Sequence, residues 1–341
     1  MTERLGDQEM TKLGLAIIGL GMASGHHAKA LLDLAGKADV IAAFSPTEAR
    51  RRAFSETYGF PVTDSLSQIF ENDAIGAVLI LTPPNTHLEL VRQAAKAGKH
   101  ILLEKPLDIS LLRAEAIVKT AGDAEVNLSI VLQNRFRSSF RTLQHCLEEG
   151  RLGSILEASA SIRNWRAQSY YDEPGRGTLA RDGGGVLLTQ AIHTIDLLLS
   201  LAGTPVDVSS FIRTTSIHRM ETEDLVSASV AFENGAVGTL SATTCAYPGF
   251  SERIELICTG GTAVLLGDRL DVAFHDGSTL VAGANMDAGV GHDPMAFGYE
   301  LHRALIEDFI DSVSEKRSPV VTGTDALRAH AFIEKILRSS R

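Results

Sequence analysis

Short apolar runs alternating with amphipathic helical stretches constrain this chain more than any other feature. They call for parallel strands buried on both faces and joined by helical crossovers. The runs are "LGLAIIGL" (13–20), "DVIAAFS" (39–45), "AVLILTP" (77–83), "HILLEKP" (100–106) and "VNLSIVLQN" (126–134). Helical stretches separate them around 25–36, 47–58, 86–97 and 110–121. In the third, Leu88, Val91, Ala94 and Ala95 share one face, and Lys96 stands near the end, where a cation suits the helix dipole. The pattern predicts a doubly wound α/β unit. Its first run is too short to span a bilayer and lacks the basic lead of an export signal, so it reads as a buried strand.

After Asn134 the rhythm changes. A helix is expected over 138–149, a strand near 155–165, a loop rich in Tyr, Pro, Gly and Arg, and a helix over 186–200. The segments "VDVSSFIRTT", "DLVSASVAFENGAVGTLSATTCA" and "ERIELICTGGTAVLLG" then read as an antiparallel sheet, with Asn234-Gly235 as a hairpin turn. Helices over about 297–315 and 324–338 end the chain. Two domains are expected, 1–134 and 135–341, the second of α+β type. A chain of 341 residues is longer than one core usually serves, and 44% hydrophobic residues supply two.

The net charge of −10 disfavours nucleic acid and anionic membranes as partners, because neither long-range attraction nor counterion release would favour binding. Cys146, Cys245 and Cys258 fit neither a disulfide framework nor a metal site, which points to a reducing cytoplasm. No His, Cys or carboxylate cluster has metal-ligand spacing, so no metal is expected.

"IIGLGMAS" sets Gly19, Gly21 and Ser24 between the first strand and a helix, the arrangement of a dinucleotide fingerprint. Gly19 permits the tight turn, Gly21 lets backbone approach a pyrophosphate, and the helix N-terminus offers free N–H donors. Met22 and Ala23 join the cofactor candidates. The second strand of such a unit usually ends in an acid that holds the ribose of NAD; here Ser45 stands there, followed by Thr47 and Arg50, Arg51 and Arg52. Hydroxyls with a nearby guanidinium, Arg50 being the candidate, suit the extra phosphate of NADP, so NADP is preferred over NAD. The competing reading is that the arginines only solvate a helix face. "LTPPNTHLEL" places Thr82, Pro83, Asn85 and His87 at the same edge, as cofactor contacts or as capping and packing groups. "LLEKPL" ends the fourth strand there with Glu104 and Lys105, and Pro106 stiffens the backbone behind them.

Together with a "GGG…HTID" helix (183–196) and an "NRFR" junction (134–137), these motifs resemble the Gfo/Idh/MocA family of glucose–fructose oxidoreductase and inositol dehydrogenase relatives. The resemblance implies a Rossmann domain, a C-terminal domain with an open, mainly antiparallel sheet, and a cleft between them for nicotinamide and a sugar-like or cyclitol-like substrate. It implies dimers or tetramers built through that sheet. Lys105 corresponds to the lysine that polarises the reacting oxygen, and His193 to the histidine that acts as general acid and base. Many relatives carry an aspartate four residues before that histidine; this chain has Thr189.

Read from its own spacing, the helix buries Leu188, Ala191, Ile192, Ile195 and Leu199 on one face. Thr189, His193 and Asp196 share a neighbouring stripe, which predicts the Thr189 hydroxyl beside the imidazole and Asp196 within reach of its other side. Gln190 could orient substrate, although it diverges from Thr189 by about 100° on a regular helix. A histidine satisfied within a packed interface is the plainer alternative for His193.

The loop "RNWRAQSYYDEPGRGTLARDGG" gathers Arg163, Trp165, Arg166, Tyr170, Tyr171, Arg176 and Arg181. Such density suits a sugar face and an anion, or else oligomer packing. If the loop faces the cleft, the substrate is anionic; Arg135, Trp165, Arg166 and Tyr170 are substrate candidates with Thr189, Gln190 and His193. His292, Asp293 and Tyr299 could also line the cleft, Asp293 more simply as a turn residue. The leading expectation is an NAD(P)-dependent oxidoreductase acting on a secondary alcohol or ketone of a sugar, sugar derivative or cyclitol. The alternatives are a lyase or glycosidase that retains its cofactor, and a non-catalytic NADP-binding regulator.

Overall fold

The computed structural model describes residues 12–284 and 298–340. The predicted run of crossovers forms a sheet from β1 (Leu13–Ile18), β2 (Ala38–Phe44), β3 (Val62–Thr63), β4 (Ala77–Ile80), β5 (His100–Leu103) and β6 (Leu128–Ile130), interleaved with α1 (Ser24–Asp33), α2 (Glu48–Tyr58), α3 (Ser67–Phe70), α4 (His87–Lys96) and α5 (Leu111–Asp123). Every pairing is parallel, in the order β3-β2-β1-β4-β5-β6. Leu15 to Ile18 and Ala77 to Ile80 are fully buried, as strands covered on both faces must be. The order reverses between β1 and β4, which opens a crevice at their carboxyl ends. β3 and α3 are too short to show a period in the sequence.

The second sheet comprises β7 (Ile155–Arg163), β8 (Pro205–Arg213), β9 (Leu225–Phe232), β10 (Val237–Thr243), β11 (Arg253–Cys258), β12 (Gly261–Leu266), β13 (Arg269–Phe274) and β14 (Thr279–Gly283). Its order is β14-β13-β12-β11-β7-β10-β9-β8, antiparallel except where β7 meets β10. The hairpin at Asn234-Gly235 forms, with Gly235 at φ 87°. Buried and exposed residues alternate along β9 to β12, so α6 (Ser138–Glu148) and α8 (Ile192–Ala202) cover one face only. The other face presents Phe211, Val237, Ile257, Leu266 and Val281 to solvent. Between β7 and α8 lies the short α7 (Gln168–Tyr171).

The last helices, α9 (Glu300–Ser314) and α10 (Gly323–Arg338), return to the first sheet. Lys37 Nζ lies 2.9 Å from Asp311 and from Glu307, Ser129 Oγ donates to the Val321 carbonyl at 2.9 Å, and the Leu107 N–H donates to His330 Nε2 at 3.1 Å. Three contacts thereby fasten the last two helices and the segment between them to the first unit. Cys146, Cys245 and Cys258 are free thiols. Among the described residues no helix is long and apolar enough to cross a membrane.

Candidate active site

The glycine turn closes as its sequence requires. Gly19 has φ 107°, and a Cβ there would stand 2.9 Å from the Leu81 carbonyl and from Thr82 Cγ2. At Gly21 a Cβ would meet nothing within 4 Å, so the backbone ahead of α1 faces open space. No side chain caps the start of α1, and Ser24 Oγ donates to the Gly21 carbonyl at 2.7 Å. An open backbone cradle at an uncapped helix N-terminus fits a dinucleotide pyrophosphate. Met22, Ala23 and Thr82 line the cleft beside it.

Four of the expected cofactor contacts are placed otherwise. His87 is fully buried, with Nε2 2.8 Å from the Thr82 carbonyl and Nδ1 3.0 Å from that of Leu107; it stiffens the loops and does not reach the cleft. Asn85 is exposed in a 3₁₀ turn, where its carbonyl accepts from Arg113, and Pro83 is exposed just ahead of that turn. Arg50 is exposed too. Arg51 instead folds back over the end of β2, donating to the Ser45 carbonyl at 2.7 Å and lying 3.5 Å from Asp64. Ser45 is buried, its hydroxyl accepting from the Thr47 N–H at 3.2 Å.

Between the sheets lies a cleft of about 720 Å³. Glu104 and Lys105 enter it from the end of β5, and Thr189, Gln190 and His193 from the opposite wall. Lys105 Nζ donates to the Thr189 carbonyl at 2.7 Å, and burial with the charges of Arg166 and Arg176 pushes its pKa down against the pull of Glu104. Burial would raise Glu104, but the His27 hydrogen bond at 3.2 Å, with the charges of His27 and Lys105, holds it down to about 2. Burial, and then the Lys105 charge, hold His193 well below the ordinary histidine range. Its ring is neutral at pH 7, and Nδ1 is buried without a hydrogen-bond partner among the described residues. A neutral imidazole keeps a ring-nitrogen lone pair that can take a proton.

The His193 helix does not start as a regular α-helix. Leu187–Ala191 form a π-turn, which α8 continues. Its entry is pressed against Glu223: the carboxylate accepts from Gly185 N at 2.9 Å and Leu187 N at 3.1 Å, and the Glu223 carbonyl accepts from Val186 N at 2.9 Å. Two expectations change here. The Thr189 hydroxyl donates to the Gly185 carbonyl at 2.6 Å rather than facing His193, and it touches Gln190 Oε1, which a regular helix would have carried away. What Thr189 offers the cleft is its main-chain carbonyl, taken by Lys105.

Asp196 is not beside the other edge of His193. Its carboxylate accepts from Arg135 Nε at 2.7 Å and Nη2 at 2.6 Å, a buried pair that lies behind the cleft. Arg135 is therefore structural and is not a wall of the substrate space. Trp165 is turned away as well, its ring edge-on to Tyr247 at 5.5 Å between centroids. Arg166, Tyr170 and Arg176 do face the cleft. Tyr299 is hydrogen-bonded to Asp33 at the start of α9, and His292 and Asp293 lie outside the described residues.

Sequence reasoning missed His26, Gln133, Arg137, Glu252 and His302 on the cleft wall. Arg137, in the junction motif, is bonded to Glu252, an ion pair more than a hundred residues apart that no local spacing announces. His26 stacks on His302 at 5.3 Å across another long separation. His27, Glu104 and His302 converge, as do His218, Asp224 and Cys245, each set with side-chain donor atoms within 4.8 Å.

Comparison with known proteins agrees with this fold. Residues 13–131 match the model described as oxidoreductase family, NAD-binding Rossmann fold, and residues 140–264 match the GFO/IDH/MocA C-terminal domain. Inositol 2-dehydrogenase of Rhizobium meliloti is 27% identical over 95% of each chain, and myo-inositol 2-dehydrogenase of Thermotoga maritima is 26% identical over 92% of each. The WlbA dehydrogenase of Bordetella pertussis, solved in complex with NADH and UDP-GlcNAcA, superposes with a TM-score of 0.83 at 25% identity, covering 97% of both chains. With both of its halves matched, this chain belongs to the Gfo/Idh/MocA family of NAD-binding oxidoreductases.

Proposed function

We propose that the protein is an NAD(P)-dependent dehydrogenase or reductase acting on a secondary hydroxyl or ketone of a sugar, sugar derivative or cyclitol. The observation that carries this reading is the pairing of Lys105 and His193 across one cleft, beside the glycine turn. When bound, the nicotinamide donates or takes up the hydride. His193, neutral and unpartnered at Nδ1, accepts the hydroxyl proton in the oxidative direction and returns it in the reductive one. Lys105 stabilises charge developing on the substrate oxygen. The inositol and nucleotide-sugar dehydrogenases among its relatives support this substrate class.

Part of the same reading is that NADP is preferred, held by Ser45 and by Arg51 rather than Arg50. The division at Asn134 separates cofactor from substrate binding, and the enzyme works in the cytoplasm as a homodimer or homotetramer joined through the apolar open face of the second sheet. The test is a screen of cyclitols, sugars and sugar acids with NAD+ and NADP+, followed at the reduced-nicotinamide absorbance. Cofactor reduction that Lys105→Met and His193→Asn abolish is expected. Reduction that survives both substitutions refutes the assignment.

A further inference from the structure

We propose that the cleft selects substrates bearing an oxyanion, a carboxylate or phosphate, drawn by the guanidinium groups of Arg166 and Arg176, which both lie near the Tyr170 ring. This rests on the reading of the cleft as the substrate site. Both arginines line it, with guanidinium carbons 5.6 Å and 4.3 Å from the Tyr170 ring centroid. Arg176 also donates to the Tyr170 hydroxyl at 2.8 Å and to Glu173 at 2.5 Å. Glu173 is half-exposed and can turn to water, and its contact shows that this fork accepts a carboxylate. Two like charges gathered at one ring repel each other, and both also bear on Lys105, adding to burial in lowering its pKa. The charges of both guanidinium groups attract an oxyanion entering the cleft, and a planar guanidinium matches its oxygens two at a time.

The wall behind these arginines is built to hold them still. The Arg166 N–H donates to the Thr244 carbonyl at 2.9 Å, and the Arg166 carbonyl accepts from His218 Nε2 at 2.8 Å. His218 Nδ1 in turn lies 2.9 Å from Asp224 Oδ2, and both side chains are completely buried. Tyr171 packs its ring 4.8 Å from His218 and donates its hydroxyl to Thr244 Oγ1 at 3.0 Å. A buried His–Asp pair is costly to desolvate. Here it fixes the main chain of a cleft arginine, so less freedom is lost when an anion binds. A solvated surface arginine has no such backing.

The experiment is isothermal titration of the protein loaded with its preferred reduced cofactor, NADPH or NADH, with matched pairs: galacturonate and galactose, glucuronate and glucose, glucose 6-phosphate and glucose. Hydroxyl substrates do not react with the reduced cofactor, so binding is read without turnover. At least one anionic member is expected to bind at least about 30-fold tighter than its neutral partner, a charge-assisted bidentate gain. The pair that shows it separates carboxylate from phosphate. Arg166→Met and Arg176→Met should each cut that ratio at least about tenfold, with Arg166→Lys recovering part of it. His218→Asn, which leaves both guanidinium groups in place, should lower it less and serves if Arg166→Met fails to fold. No anionic preference in any pair, or a preference that neither arginine variant alters, overturns the proposal. Absence of hydride transfer with intact anion selectivity would count against the enzymatic reading alone.

Discussion

Replacing Gly185 by alanine tests how the helix that carries His193 is positioned. A Cβ at 185 would stand 1.8 Å from the Glu223 carbonyl oxygen, about 1.5 Å inside an ordinary C–H···O contact of about 3.3 Å. Glu223 cannot yield easily, because its carboxylate holds Gly185 N and Leu187 N and its carbonyl holds Val186 N. The start of the helix must move instead, and His193 moves with it while Lys105 stays on the first sheet. Misplacing a reacting group by about 1 Å costs on the order of 100-fold in rate, so kcat/KM should fall by about that factor, with about 1–3 kcal/mol lost from stability by overpacking. Steady-state assays on the best substrate of the screen measure the first, and urea unfolding the second. Cofactor affinity, set at the distant Gly19 turn, should stay within about twofold. Gly36→Ala, where a Cβ meets nothing within 4 Å, is the control. Gly185→Ala activity within about threefold of the unaltered protein would show that Glu223 gives way and that close approach does not set the His193 position.

His193→Asn and Lys105→Met should each lower kcat by about 10²–10⁴-fold while NAD(P)H binding, followed by fluorescence titration, persists. Arg51→Ala should reduce the ratio of NADP+ to NAD+ affinity by about tenfold or more; an unchanged ratio sinks the role given to that arginine. Arg135→Met strands Asp196 as a buried charge and should cost about 3–5 kcal/mol in urea unfolding. Burial lowers His302 to about 3 and His330 to about 4. Below about pH 6.5 the unfolded chain takes up protons at these rings and the folded one does not, so stability falls with pH by about 3 kcal/mol per ring by pH 4. His330→Gln should flatten the fall of Tm over that window.

The alternating apolar runs and the glycine turn made the first sheet legible, because a parallel strand buried on both faces and a backbone forced to positive φ leave strong local marks. Gly19 was legible for that reason, whereas Lys105 and His193 were singled out by motifs that resemble the Gfo/Idh/MocA family. Partnerships that join distant segments left no such mark. Arg135 looked like a substrate group until Asp196, on another helix, claimed its guanidinium, and Trp165 sat in a motif-rich loop yet turned toward Tyr247. Arg50 and Arg51 differ by one step around a helix, enough to send one to solvent and the other to Ser45. The π-turn was hidden altogether, since sequence periodicity assumes the regular helix from which it departs.

The bond from Lys105 to the Thr189 carbonyl has a consequence for how the enzyme rests. The ammonium proposed to meet a substrate oxygen bonds main chain from the opposite wall, so this one contact ties the two sides of the cleft together. An incoming alcohol or ketone competes with a peptide carbonyl for that donor. Any group that takes the lysine from Thr189 therefore also removes this tie across the cleft.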